Sequence, residues 1–170
     1  MKNNAPDFKN IGTQLIADIP RYASVTALNF FQDSFRKQGW EDVTFAPWAG
    51  RKDASGTGRA ILTNTSYLQN ELRITQATAR TVKIVNDAPY AAIHNEGGVV
   101  SMRITPKMRK FFWAKFYETK KTKWKYMALM RKNQLTFKMP KRQFMGHSKM
   151  MMEQMDTWLL KQILTRFKQA

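Results

Sequence analysis

Apolar positions recur along this chain with two different periods, and the switches between them mark its elements. From Asp7 to Gln38, residues Phe8, Ile11, Leu15, Ile19, Tyr22, Leu28, Phe31 and Phe35 return mostly every three or four positions, which predicts a helix with one apolar face. Pro20 lacks an amide donor and crowds the preceding turn. A kink is therefore expected near Asp18 to Pro20, or two helices meeting there with Asp18 as a cap. Gly39 is expected to close the element, and Trp40 to Ala60, with Pro47, Trp48 and Ser55-Gly56-Thr57-Gly58, reads as a loop.

The period then drops to two. After a polar connector anchored by Leu62 and Leu68, Leu72 and Ile74 alternate with polar neighbours, as do Val82 and Ile84. Gln76 to Arg80 is short enough to make these two runs a hairpin. Asn86, Asp87 and Pro89 stop the second run. Tyr90 to Asn95 has room for about a turn and a half of helix, with Gly97 and Gly98 placed for a left-handed cap. Val100, Met102 and Ile104 alternate again, and so do Leu135, Phe137 and Met139. If these runs pair, Pro106 to Asn133 leaves the strands and returns at the same end. On that excursion Met108, Phe111, Phe112 and Phe116 share one helical face, and Trp124, Met127 and Ala128 another, with Glu118 to Lys123 as a basic bend. Gly146 and Ser148 introduce a last helix striped by Met151, Met155, Trp158, Leu159, Ile163 and Phe167. The predicted fold is α+β: an antiparallel sheet of about four strands packed by a kinked N-terminal helix and a C-terminal helix. It is read as one domain over 1–170, with 106–133 a basic helical insertion.

Composition changes this picture in two ways. The 170 residues include no cysteine, which excludes disulfide frameworks and thiolate metal sites. The absence of a long apolar run or hydrophobic leader makes cytoplasmic synthesis the expectation. The net charge of +17 is also uneven. Residues 1–98 carry 11 Lys and Arg against 9 acids, whereas residues 99–170 carry 18 against 3. Between Arg103 and Arg142 there are 14 basic residues and one acid, Glu118. A field that local suits phosphate or an acidic protein surface. Lys107, Arg109, Lys110, Lys120, Lys121, Lys123 and Lys125 are the candidate DNA-facing or partner-facing residues. Aromatics interleaved with lysines also suit a single-stranded platform, although helical spacing favours packing.

Catalytic signals are thin. His94-Asn95-Glu96 has the His-x-Glu spacing of zinc deaminases, but their Cys-x-x-Cys has no counterpart. Two histidines, His94 and His147, make no metal motif. Asp87 and Glu96 could serve a carboxylate nuclease but lack a distinctive pattern. The expectation is a protein without catalytic residues, metal or cofactor.

Two stretches carry a resemblance. Pro89-Tyr90-Ala91-Ala92-Ile93-His94-Asn95-Glu96-Gly97 and Met139-Pro140-Lys141-Arg142-Gln143-Phe144-Met145-Gly146 resemble the paired signatures of the phage virion morphogenesis family, the tail-completion and neck proteins of Mu-like tailed phages and prophages. The matching positions are Tyr90, Ala91, His94 and Gly97, then Pro140, Arg142, Phe144 and Gly146. Lys141 and Gln143 stand where the family often has a small residue and a second proline, and the 106–133 excursion is longer than the usual connection. The resemblance implies a structural virion protein of the head-tail junction, assembled in the host cytoplasm into a ring that is often a hexamer. It further implies contacts with neck, adaptor or tail-tube proteins, non-specific contact with passing DNA, and no membrane partner. The alternative is a non-specific nucleic-acid-binding module acting through residues 103–142.

Overall fold

The computed structural model describes residues 7–51 and 58–169. Most of the glycine-rich run at Ser55 to Gly58 lies outside them. Among the described residues, twelve elements follow in order: α1 (Phe8–Lys37), β1 (Gly39–Glu41), β2 (Phe45–Pro47), α2 (Tyr67–Asn70), β3 (Leu72–Ala77), β4 (Val82–Asn86), α3 (Ala91–Glu96), β5 (Gly98–Arg103), α4 (Pro106–Thr119), α5 (Thr122–Leu129), β6 (Gln134–Met139) and α6 (Lys149–Gln169). The class is α+β with long first and last helices, as the periodicity predicts. The strands, however, do not share one sheet. They form three separate two-stranded antiparallel ladders, β1-β2, β3-β4 and β5-β6.

The chain divides into two compact units, one running to Glu96 and resuming at Lys141, the other spanning Gly97–Pro140. In the first, Phe30, Phe31 and Phe35 of α1 meet Trp40 of β1, Trp48, Leu68 of α2, Leu72 of β3, Ala91 of α3, Phe144 and Met151 of α6. Aromatic edges set the packing: Phe30 lies 5.6 Å from Trp40 at 87°, and Phe35 lies 5.4 Å from Trp48 at 84°. Burying these rings stabilises the unit by roughly 25 cal/mol per Å² of apolar surface.

α1 departs from expectation at both Asp18 and Gly39. It runs unbroken through Pro20, so two helices do not meet there and Asp18 caps nothing. Its carboxylate instead accepts from the Arg166 guanidinium of α6, and Tyr22 stacks on Trp158 at 4.0 Å. Tertiary pairing with α6 offsets the missing hydrogen bond. Nor does Gly39 close the helix: Gln38 takes the left-handed cap at φ 57° and donates its amide to Ser34 O. Gly39 is needed for the tight β1-β2 ladder, where an added Cβ would lie 2.7 Å from Ala46 O and against the Phe45 ring. That ladder occupies part of the segment expected to be a loop. Gln38 also anchors the far end of the loop, since its side chain exchanges hydrogen bonds with the backbone N–H and C=O of Ile61.

β3 and β4 pair as predicted, Ile74 opposite Ile84, with a bulge at Thr75. In the second unit β5 and β6 pair with Val100 opposite Phe137 and Met102 opposite Leu135. The excursion between them is a helical hairpin. Thr105 caps α4, its side chain accepting from Met108 N at 3.2 Å, and Pro106 fills the first helical turn. Lys120, at φ 56°, ends α4 and makes the bend. A small core of Ile104, Phe112 and Ala128 takes in Met108, Trp124 and Leu135.

Candidate functional site

Residues 89–96 and 141–146 of the two signature stretches meet inside the first unit, and what they build is a lock made mostly of backbone. Asn86 sets it up by donating to Leu68 O at 2.6 Å and accepting from Ala88 N at 3.1 Å, which fixes the turn into α3. Ala91 is buried where a larger side chain would meet the core. At the other end of α3, Gly97 takes φ 72°, in the left-handed region that glycine enters at no steric cost.

Residues 142–145 then run beside α3. Arg142 N donates to His94 O at 2.8 Å. The Asn95 carboxamide oxygen accepts from both Phe144 N at 3.0 Å and Met145 N at 3.1 Å. Phe144 is fully buried, 5.2 Å from the Phe35 ring. From the opposite side Trp48 Nε1 donates to Gln143 O at 2.7 Å. Arg142, itself buried, donates through Nε to Ala49 O at 3.0 Å and through Nη2 to Gly50 O at 3.4 Å. One arginine thereby satisfies two carbonyls that short strand β2 leaves behind. Its pKa is lowered by burial and then by Arg51. Gly146 turns the chain at φ 140°. Ser148, fully buried, donates to Glu41 O at 2.9 Å and caps α6 by accepting from Met151 N at 3.3 Å.

His94 is half-buried with its ring edge-on to Tyr90, 5.8 Å between centroids. Its Nδ1 is buried without a hydrogen-bond partner. Burial, and secondarily the Arg142 charge, lower the imidazole pKa from its ordinary 6.5, so the ring is neutral near pH 7. Among the described residues, no three His, Asp or Glu side chains lie where they could hold a metal ion. Asp87 pairs with Arg73, and Glu96 is exposed at the end of α3. The arrangement holds chain segments together.

The family model for phage virion morphogenesis proteins matches residues 31–164, which takes in both stretches and the aromatic half of α1. The chain belongs to the phage virion morphogenesis family. No curated protein and no solved structure matches it. As a member of that family the chain has a part in building the phage virion, and no helix among its described residues is long and apolar enough to cross a membrane.

Of the signature residues, Ala91, His94, Arg142, Phe144 and Gly146 come together in the lock. Tyr90 is more exposed and faces Tyr67 at 6.2 Å. Gly97 and Pro140 belong to the second unit, at its two ends. Asn95 was not singled out, although it makes the most economical contact of all. Its position on a short helix followed by Gly-Gly is the only local signal. The candidate basic residues lie on the α4-α5 hairpin. Lys107, Lys110, Lys120, Lys121, Lys123 and Lys125 are exposed. Arg109 is half-buried and donates to Ala128 O at 2.8 Å, tying α4 to α5.

Proposed function

We propose that this chain is a structural subunit of the head-tail junction, closing the tail or connecting it to the head as part of a ring, and that it carries no catalytic step. Membership of the phage virion morphogenesis family carries the reading. The distribution of apolar surface supports it. On α6, Met151 and Met155 face the core, yet Leu160 is 61% and Leu164 60% exposed, and Ile16 on α1 is 58% exposed. Apolar side chains this open on paired helices suit burial against a neighbouring subunit. A ring requires two different complementary patches on each subunit, because its contacts are head-to-tail. An open apolar cavity of about 380 Å³, lined by Phe31, Ile84, Met145, Met151, Met152 and Met155, offers a second patch whose methionines adapt to an incoming side chain. Neck, adaptor or tail-tube proteins are the other partners of such a ring, and the virion is its location.

Light-scattering mass after size exclusion tests this, on protein freed of nucleic acid at low and high salt. The expected result is a discrete multi-subunit mass that survives high salt, and that Leu160→Glu with Leu164→Glu reduces to monomer without loss of helical signal. A wild-type monomer under every condition would overturn self-assembly through these faces.

A further inference from the structure

Charge, exposure and side-chain type converge on the α4-α5 hairpin. Residues 97–140 hold twelve Lys and Arg and one acid. That acid, Glu118, is engaged by Lys115 at 2.7 Å. Four lysines, Lys120, Lys121, Lys123 and Lys125, crowd six positions at the bend, all exposed. α5 begins there with no side-chain cap, so its first-turn amides add their partial positive charge to the same place.

The aromatic residues divide into two sets. Phe112 is buried and stacks on Trp124 at 6.1 Å, which is the packing that helical spacing foretells. Tyr117 and Tyr126 are 64% and 73% exposed, however, and the Lys120 ammonium sits 5.9 Å from the Tyr117 ring centroid. Sites that read base edges rely on planar, bidentate groups, Arg on guanine and Asn or Gln on adenine, with Lys able to reach guanine as well. Residues 106–132 contain no Asn or Gln, and the single arginine on the two helices, Arg109, is committed to Ala128. At the bend itself the cations are all lysines, point charges on flexible stems that suit phosphate better than planar base edges.

We propose that the exposed face of the α4-α5 bend, centred on Lys120, Lys121, Lys123 and Lys125 with Tyr117 and Tyr126 beside them, is a sequence-independent binding site for the phosphate backbone of nucleic acid. The site stands on the second unit alone and does not depend on ring assembly. Four phosphate contacts on duplex DNA predict a log-log salt slope of about −3 to −4, and somewhat less on a single strand. Because the contacts carry no sequence information, the polymer slides past while remaining held.

The test is fluorescence anisotropy of the full-length protein with labelled duplex and single-stranded DNA of two unrelated sequences, titrated with salt. Binding that is equal for both sequences, falls steeply with salt, and drops at least tenfold with a flatter slope in the Lys120→Gln, Lys121→Gln, Lys123→Gln, Lys125→Gln variant supports the site. The variant's thermal melt must match wild type, and Lys121→Gln with Lys125→Gln serves if the quadruple change fails to fold. Tyr117→Ala with Tyr126→Ala then separates ring stacking from phosphate contact. Weaker binding of single strands alone adds ring stacking to the phosphate contacts, and no effect on either form leaves the lysines as the whole site; either result keeps the proposal. Absence of binding at the lowest salt, or an unchanged slope in the lysine variants, overturns the proposal. So does displacement of DNA by polyglutamate as effectively as by a polynucleotide of equal charge, which would assign an acidic protein instead.

Discussion

Asn95 accepts two backbone amides 49 and 50 residues away in sequence, and removing that oxygen strands both donors beside the fully buried Phe144. Asn95→Ala should therefore cost about 1–3 kcal/mol, read as a lower urea midpoint, while Asn95→Asp, which keeps an acceptor, should cost less. Equal losses would show that accepting these two amides is not what the Asn95 carboxamide contributes. Phe144→Ala should cost more, about 3–5 kcal/mol, because it empties a site walled by Phe35. His94 adds a pH dependence. Its folded-state pKa lies below the unfolded value of 6.5, so the unfolded chain takes up the proton first. The neutral ring's contribution is intact above about pH 6.5 and is lost as pH falls from there towards the folded pKa, below which it levels off. Denaturant midpoints of wild type and His94→Gln should diverge less at pH 5 than at pH 7.5, and a constant gap would show that the imidazole stays unlinked to folding. None of these roles except the motif positions could be read from the residues themselves. A contact across 50 residues leaves no local trace in composition or period.

At the scale of elements the period is a faithful guide where an element is long or its pairing close in sequence. α1, the β3-β4 hairpin, the β5-β6 pair and the Ser148 cap of α6 all follow from spacing. β1 and β2 do not, because strands of three residues show too little alternation and Pro47 reads as punctuation. Pro20 does not divide α1 into two helices. A proline inside a helix costs about 3 kcal/mol locally, yet the surrounding contacts with α6 hold the helix through it. Restoring the amide should then be favourable: Pro20→Ala is expected to raise the melting temperature with little change in helical signal. A lower melting temperature would show that α1 and α6 meet only through the bend that proline imposes.

The whole molecule shows why four strands suggested one sheet. Alternation identifies a strand's faces but not its neighbours, and each hairpin here closes on its own partner. The uneven charge was legible, since it is a property of composition along the chain, and the second unit carries +11 of the net +17. The first unit holds one further consequence. Every buried residue of α1 lies at or beyond Ser24, so the preceding four turns, about 24 Å at 1.5 Å per residue, depend on α6 through Tyr22 with Trp158, Asp18 with Arg166, and Phe8 with Phe167. Two helix ends that hold each other open together. Their amides, Ile11 to Ala17 and Ile163 to Phe167, should exchange hydrogen for deuterium at matched rates, faster than Phe30 to Phe35. A neighbour that grips either helix would slow both at once, so contact on one side is felt on the other without any change in the core.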